Sequence, residues 1–141
     1  MLTTTSQLIS HHKAMEQQQA DLYSVLAEKY PEHSEVFQRL GKDSIKHMEM
    51  VQRAYREGVT DAFELAFLAT PISEEEYKLV KQIDDLSDAA RTMLRNEETI
   101  IKFCQEAAVN SGNLLPDVPE TFLRLVKRKM KNLEALKEIG G

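Results

Sequence analysis

Glu16, Glu97 and Lys129 are ionisable residues set in stretches that are otherwise patterned for burial, and His47 stands among similar company. Glu16 sits beside Met15 and Gln19 and below Tyr23; Glu97 stands between Met93 and Ile100; Lys129 stands between Leu125 and Leu133. Ser44 and His47 are three residues apart, which places them on one face of a helix. Carboxylates and ammonium groups are costly to bury unless they are paired or bound to metal. Two chemistries therefore follow. Glu16, His47 and Glu97 offer two carboxylates and an imidazole to a divalent cation. Alternatively, Lys129 neutralises the two glutamates with no metal at all. Taken singly, each residue also has a plain reading. His47 reads as a neutral, hydrogen-bonded core histidine, either glutamate as a helix-edge residue facing solvent, and Lys129 as a stem that carries its ammonium outward.

Other reactive types carry less. Cys104 is the single cysteine, so an intramolecular disulfide and any Cys-pair zinc or rubredoxin-like iron site are excluded. It reads as a small buried apolar residue. His11 and His12 read as a solvent-facing pair near a helix start. Met15, Met48, Met93 and Met130 read as core filler. Glu74 to Glu76 read as acids favouring a helix N-terminus.

Four long helices are needed to position these residues. The first is expected from Thr5 to Lys29, ending where Pro31 disfavours helix at Tyr30. Its inward stripe is Leu8, His12, Met15, Gln19, Leu22 and Leu26, stepping by four and three. The second is expected over 32–57, with Gly58 as its C′ residue. Its stripe is Phe37, Leu40, Ser44, His47 with Met48, Val51 and Tyr55. The turn between them is short, so the two should be antiparallel neighbours. A crossover over 59–85 follows, with helical pieces of its own. Ala62 to Ala69 is apolar, Pro71 breaks it, and Ser73 to Glu76 reads as a capping box that restarts a helix. The third long helix carries Leu86, Ala90, Met93, Glu97, Ile100, Cys104 and Ala107. A loop, Asn113 to Pro119, leads to the fourth, with Phe122, Leu125, Lys129, Leu133 beside Asn132, and Leu136.

Composition agrees with one all-helical domain. The chain has 141 residues, 29% charged, with only 5 glycines, 4 prolines and no tryptophan. The net charge of −5 shows no basic face, so nucleic acid is not an expected partner. No apolar run approaches the length of a membrane span, and the first residues lack the pattern of a secretory signal. The expected location is the cytoplasm.

The two halves echo one another. Glu16, Leu22, Tyr23 and Ala27 are answered 81 residues later by Glu97, Phe103, Cys104 and Ala108. Phe37, Leu40 and Val51 are answered 85 residues later by Phe122, Leu125 and Leu136. One consistent offset per helix points to a repeated helical hairpin.

Glu16 with six residues to Tyr23, Phe37-x-x-Leu40 leading to His47, and Glu97 with Phe103 before Phe122-x-x-Leu125 resemble the rubrerythrin family. The resemblance covers nearly the whole chain outside the crossover. It implies an all-α, ferritin-like four-helix bundle: two antiparallel hairpins, about 5–57 and 86–139, joined by a long crossover. In that family each half supplies a glutamate from its first helix and Glu-x-x-His from its second to a di-iron centre. Here Ser44 stands for the first of those second-helix glutamates, and Lys129-x-x-Asn132 replaces the second Glu-x-x-His. Tyr23 and Cys104 would line the same site. Glu16, His47 and Glu97 remain of the implied ligand set, which argues against an intact di-iron centre and its oxidoreductase chemistry. The residual ligands suit one iron, manganese or zinc ion, with a role in iron handling or peroxide defence. The rubredoxin-type electron-transfer module is missing from this chain. The alternative is a metal-free oligomerising or partner-binding module with a buried Lys129–Glu16/Glu97 ion pair. The resemblance implies a homodimer.

Overall fold

The computed structural model describes residues 1–58, 67–81, 83–111 and 117–140. Its elements run β1 (Leu2–Thr4), α1 (Thr5–Lys29), α2 (Ser34–Gly58), β2 (Phe67–Ile72), α3 (Leu86–Asn110) and α4 (Asp117–Gly140). Among the described residues, no helix is long and apolar enough to cross a membrane.

The helix ends follow local chemistry. Thr4 caps α1 by accepting from the Gln7 amide at 3.2 Å, and the Gln7 side chain accepts from the Thr4 amide, so two orphan donors are satisfied reciprocally. The helix ends at Tyr30, whose amide bonds the Leu26 carbonyl, and Pro31 opens a single 3-10 turn to His33. Asp85 caps α3 through the Asp88 amide at 2.8 Å. Gly58 is the last residue of α2 rather than a cap beyond it. The fourth helix starts at Asp117, earlier than Pro119 suggested; proline is tolerated there because first-turn amides have no helical partner.

Each hairpin packs α1 on α2 and α3 on α4, and the hairpins meet through α1 with α3 and α2 with α4. The result is an all-α four-helix bundle. Gly41 permits the close approach within the first hairpin, since a β-carbon there would lie 3.3 Å from Tyr23 Cβ.

The crossover differs from the sequence expectation. Phe67–Ile72 is a strand, and it pairs antiparallel with β1, Leu2 opposite Ile72 and Thr4 opposite Phe67, with a register shift between. Glu74 to Tyr77 form one 3-10 turn with no side-chain cap from Ser73. Glu74 instead takes the amino terminus of Met1. The strand buries only Leu68 and Ile72, four residues apart, a spacing that a helix gives equally well. The earlier part of that apolar stretch, 62–66, lies outside the described residues, as do 112–116 of the α3–α4 loop.

The apolar core is split into two clusters. Leu8, Met15, Val51, Ile100, Phe103, Phe122 and Leu125 belong to one, and Tyr23, Leu26, Phe37, Leu40, Ala89, Met93 and Leu136 to the other. On every helix the residues between the clusters are polar: Glu16 and Gln19, Ser44 and His47, Asn96 and Glu97, and Lys129. Met130 is half exposed, not core filler, and Leu22, Met48, Tyr55 and Leu133 are only partly buried.

Candidate functional site: a buried charge cluster

The polar layer converges on Lys129. Its Nζ donates to Glu16 Oε1 at 2.8 Å and to Glu97 Oε1 at 2.9 Å, and all three side chains are sealed from solvent. Helix periodicity explains the convergence. Lys129 continues the Phe122–Leu125 stripe by four residues, so its stem is carried to the bundle axis and cannot reach outward.

The second oxygen of each carboxylate faces a different neighbour. Tyr23 donates its hydroxyl to Glu97 Oε2 at 2.9 Å. His12 Nε2 lies 2.9 Å from Glu16 Oε2, with its ring set against Phe103 and Phe122. This corrects the reading of His11 and His12 as a solvent-facing pair: His12 is fully buried and His11 half-buried. The step of four from Leu8 through His12 to Glu16 was the available signal, and the neighbouring His11 obscured it.

Beyond Tyr23 the network reaches the crossover. Gln19 Nε2 donates to Tyr23 Oη at 3.3 Å and to the Met93 carbonyl at 3.2 Å. Asn96 Nδ2 donates to Gln19 Oε1 at 3.1 Å and to the Val80 carbonyl at 2.9 Å, while its Oδ1 accepts from the Val80 amide at 2.8 Å. Asn96 was not among the expected site residues, although its spacing from Met93, Ile100 and Phe103 places it on a buried face.

Ser44 and His47 share the buried face of α2, as their spacing required, yet Ser44 Oγ and His47 Nδ1 have no hydrogen-bond partner among the described residues. Asn132 lies outside the cluster and donates to Asp43 Oδ2 at 3.1 Å, tying α4 to α2. Cys104 is buried nearby, and burial raises its thiol pKa, so it is inert.

Two carboxylates share one cation, and the electrostatics are asymmetric for that reason. Burial alone would raise Glu16, but Lys129, His12 and His47 draw it down to about 2. For Glu97 burial prevails, reinforced by Glu16, and its carboxyl is raised despite Lys129 and the Tyr23 hydroxyl. Lys129 is held protonated: the two glutamates outweigh burial and raise it. His47 is pushed down to about 3, first by burial and then by the Lys129 charge, and is neutral.

The donors do not fit the metal centre that the spacing suggested. The ammonium occupies the point between the carboxylates where a bridging cation would stand, and a divalent ion there would meet its repulsion. Among the described residues no three His, Cys, Asp or Glu side chains are grouped to hold a metal ion. What the arrangement does chemically is neutralise itself to within one charge by direct bonds. No protein-family model, curated protein or solved structure matches the chain.

Proposed function

We propose that this chain is a ferritin-like bundle of rubrerythrin type whose metal centre has been replaced by an internal salt bridge, and that it works in the cytoplasm as a metal-free, self-associating helical module. One observation carries the reading: Lys129 Nζ bonds Glu16 at 2.8 Å and Glu97 at 2.9 Å. A protein cation in direct contact with both carboxylates performs the neutralisation that iron performs in the di-iron bundles. The paired hairpins, the long crossover and the 81- and 85-residue offsets support the kinship. A metal-bound role in iron handling or peroxide defence needs anionic oxygens that Ser44, Lys129 and Asn132 do not supply.

Aerobic loading with ferrous iron tests the reading. The expected outcome is no rapid ferrous oxidation and no oxo-bridged absorption in the near ultraviolet. Saturable oxidation of two ferrous ions per chain would overturn it.

A further inference from the structure

The outer faces of the two hairpins are built from equivalent positions filled in opposite ways. Between α1 and α2 runs an open groove of about 680 Å³, floored by Ala20, Phe37, Gly41 and Ile45. The same offsets that relate the two halves map Ala20 onto Ile101, Gly41 onto Val126, Gln38 onto Leu123 and Ile45 onto Met130. Where the first hairpin has the small Ala20 and Gly41, the second has the bulkier Ile101 and Val126. On α4 the filling also projects: Leu123 is 52% exposed and Met130 50%, seven residues apart and so on one face, with Val126 packed at their foot. Exposed apolar side chains aligned in this way mark an interaction surface.

Charge selects the occupant. From Leu123 to Met130 the exposed polar positions of α4 are Arg124, Lys127 and Arg128, with no acid among them. Ridge against ridge would crowd like charges from both copies. The groove carries Asp21 and Glu28 along its α1 wall against one base, Lys42, on α2. The basic ridge therefore matches the acidic-walled groove and is mismatched to itself.

We infer that the Leu123–Met130 ridge of one copy docks in the α1–α2 groove of a second copy. This deepens the self-association in the reading above and rests on it. The two surfaces belong to different hairpins, so the contact is heterologous: a pair leaves one groove and one ridge unused, and longer assemblies follow as concentration rises.

Sedimentation velocity of the full chain over a wide concentration range tests the contact with two variants at exposed positions. Leu123→Glu with Met130→Glu removes the ridge; Ser24→Arg with Gln38→Arg obstructs the groove. Far-ultraviolet circular dichroism and unchanged melting establish that both fold. The parent should associate beyond dimers, each variant alone should stay monomeric, and an equimolar mixture should form a heterodimer and nothing larger. A monomeric parent, or variants that associate as the parent does, would overturn the inference. Iron oxidation by the parent would sink the metal-free reading and leave this contact standing, so the two failures are distinguishable.

Discussion

Lys129 Nζ and Glu16 Oε1 are 2.8 Å apart although their residues are 113 positions apart in sequence. The bond joins the first helix to the last across the bundle axis, and Glu97 completes it from α3 at 2.9 Å. Removing the lysine leaves two buried carboxylates facing each other without a cation. Lys129→Met should therefore cost about 3–5 kcal/mol, the loss expected of an orphaned buried charge. Denaturant unfolding of parent and variant measures it, and equal stabilities would place the ammonium outside the bundle.

Lys129→Glu changes the sign at the same point. Three carboxylates would then converge with His47 close by, an oxygen-rich set that suits a hard divalent cation. The variant should melt below the parent without metal and recover with added Mn²⁺, whereas the parent should not respond. No recovery by the variant would contradict the placement of Lys129 on the axis.

Much of this was legible beforehand. The proline and glycine punctuation, the stripe positions and the two offsets are enough to place four helices and to set Glu16, Glu97 and Lys129 inward. What escaped has physical reasons. Gln19 lay on the expected stripe of α1, whereas the bonds of Asn96 to α1 and to the crossover leave no mark in local pattern. Leu2 and Ile72 pair although they are far apart in sequence, and a three-residue strand has too few alternations to read. His12 fell on the stripe yet was grouped with His11, because adjacent residues look alike in sequence and face different ways on a helix.

Acid should loosen the protein through His47. Its folded-state pKa is depressed from 6.5 to about 3, so the unfolded chain binds the proton first and stability falls as pH drops through that window. His11, also lowered, adds in the same sense. Glu16, depressed from 4.5 to about 2, contributes stability above the upper value that is lost as pH falls towards the lower. Glu97 is raised, so its window lies above 4.5, where the folded chain binds the proton first and the effect opposes that of the histidines. Between pH 6.5 and 4.5 the contributions of His47 and Glu97 therefore have opposite signs, and a variant without the imidazole isolates the first. The slope due to His47 there is at most about 1.4 kcal/mol per pH unit. His47→Gln should reduce the slope measured by urea unfolding at several pH values; an unchanged slope would mean that the imidazole is solvated.

The crossover should depend on one side chain. Asn96 meets both backbone groups of Val80, at 2.8 and 2.9 Å. Asn96→Leu would leave that amide and carbonyl without partners, at a cost of about 1–3 kcal/mol. Hydrogen exchange at the Val80 amide should accelerate sharply while the α1 and α2 amides keep most of their protection. Unaltered exchange at Val80 would show that the strand pairing alone holds the crossover.

The central claim is that a lysine does the work of a metal inside this bundle. Elemental analysis of untagged protein, purified without chelator and referred to chain concentration, tests it most directly. Iron, manganese and zinc should each be at trace levels, with the chain fully folded. One or two equivalents of any of them per chain, retained through gel filtration, would contradict it.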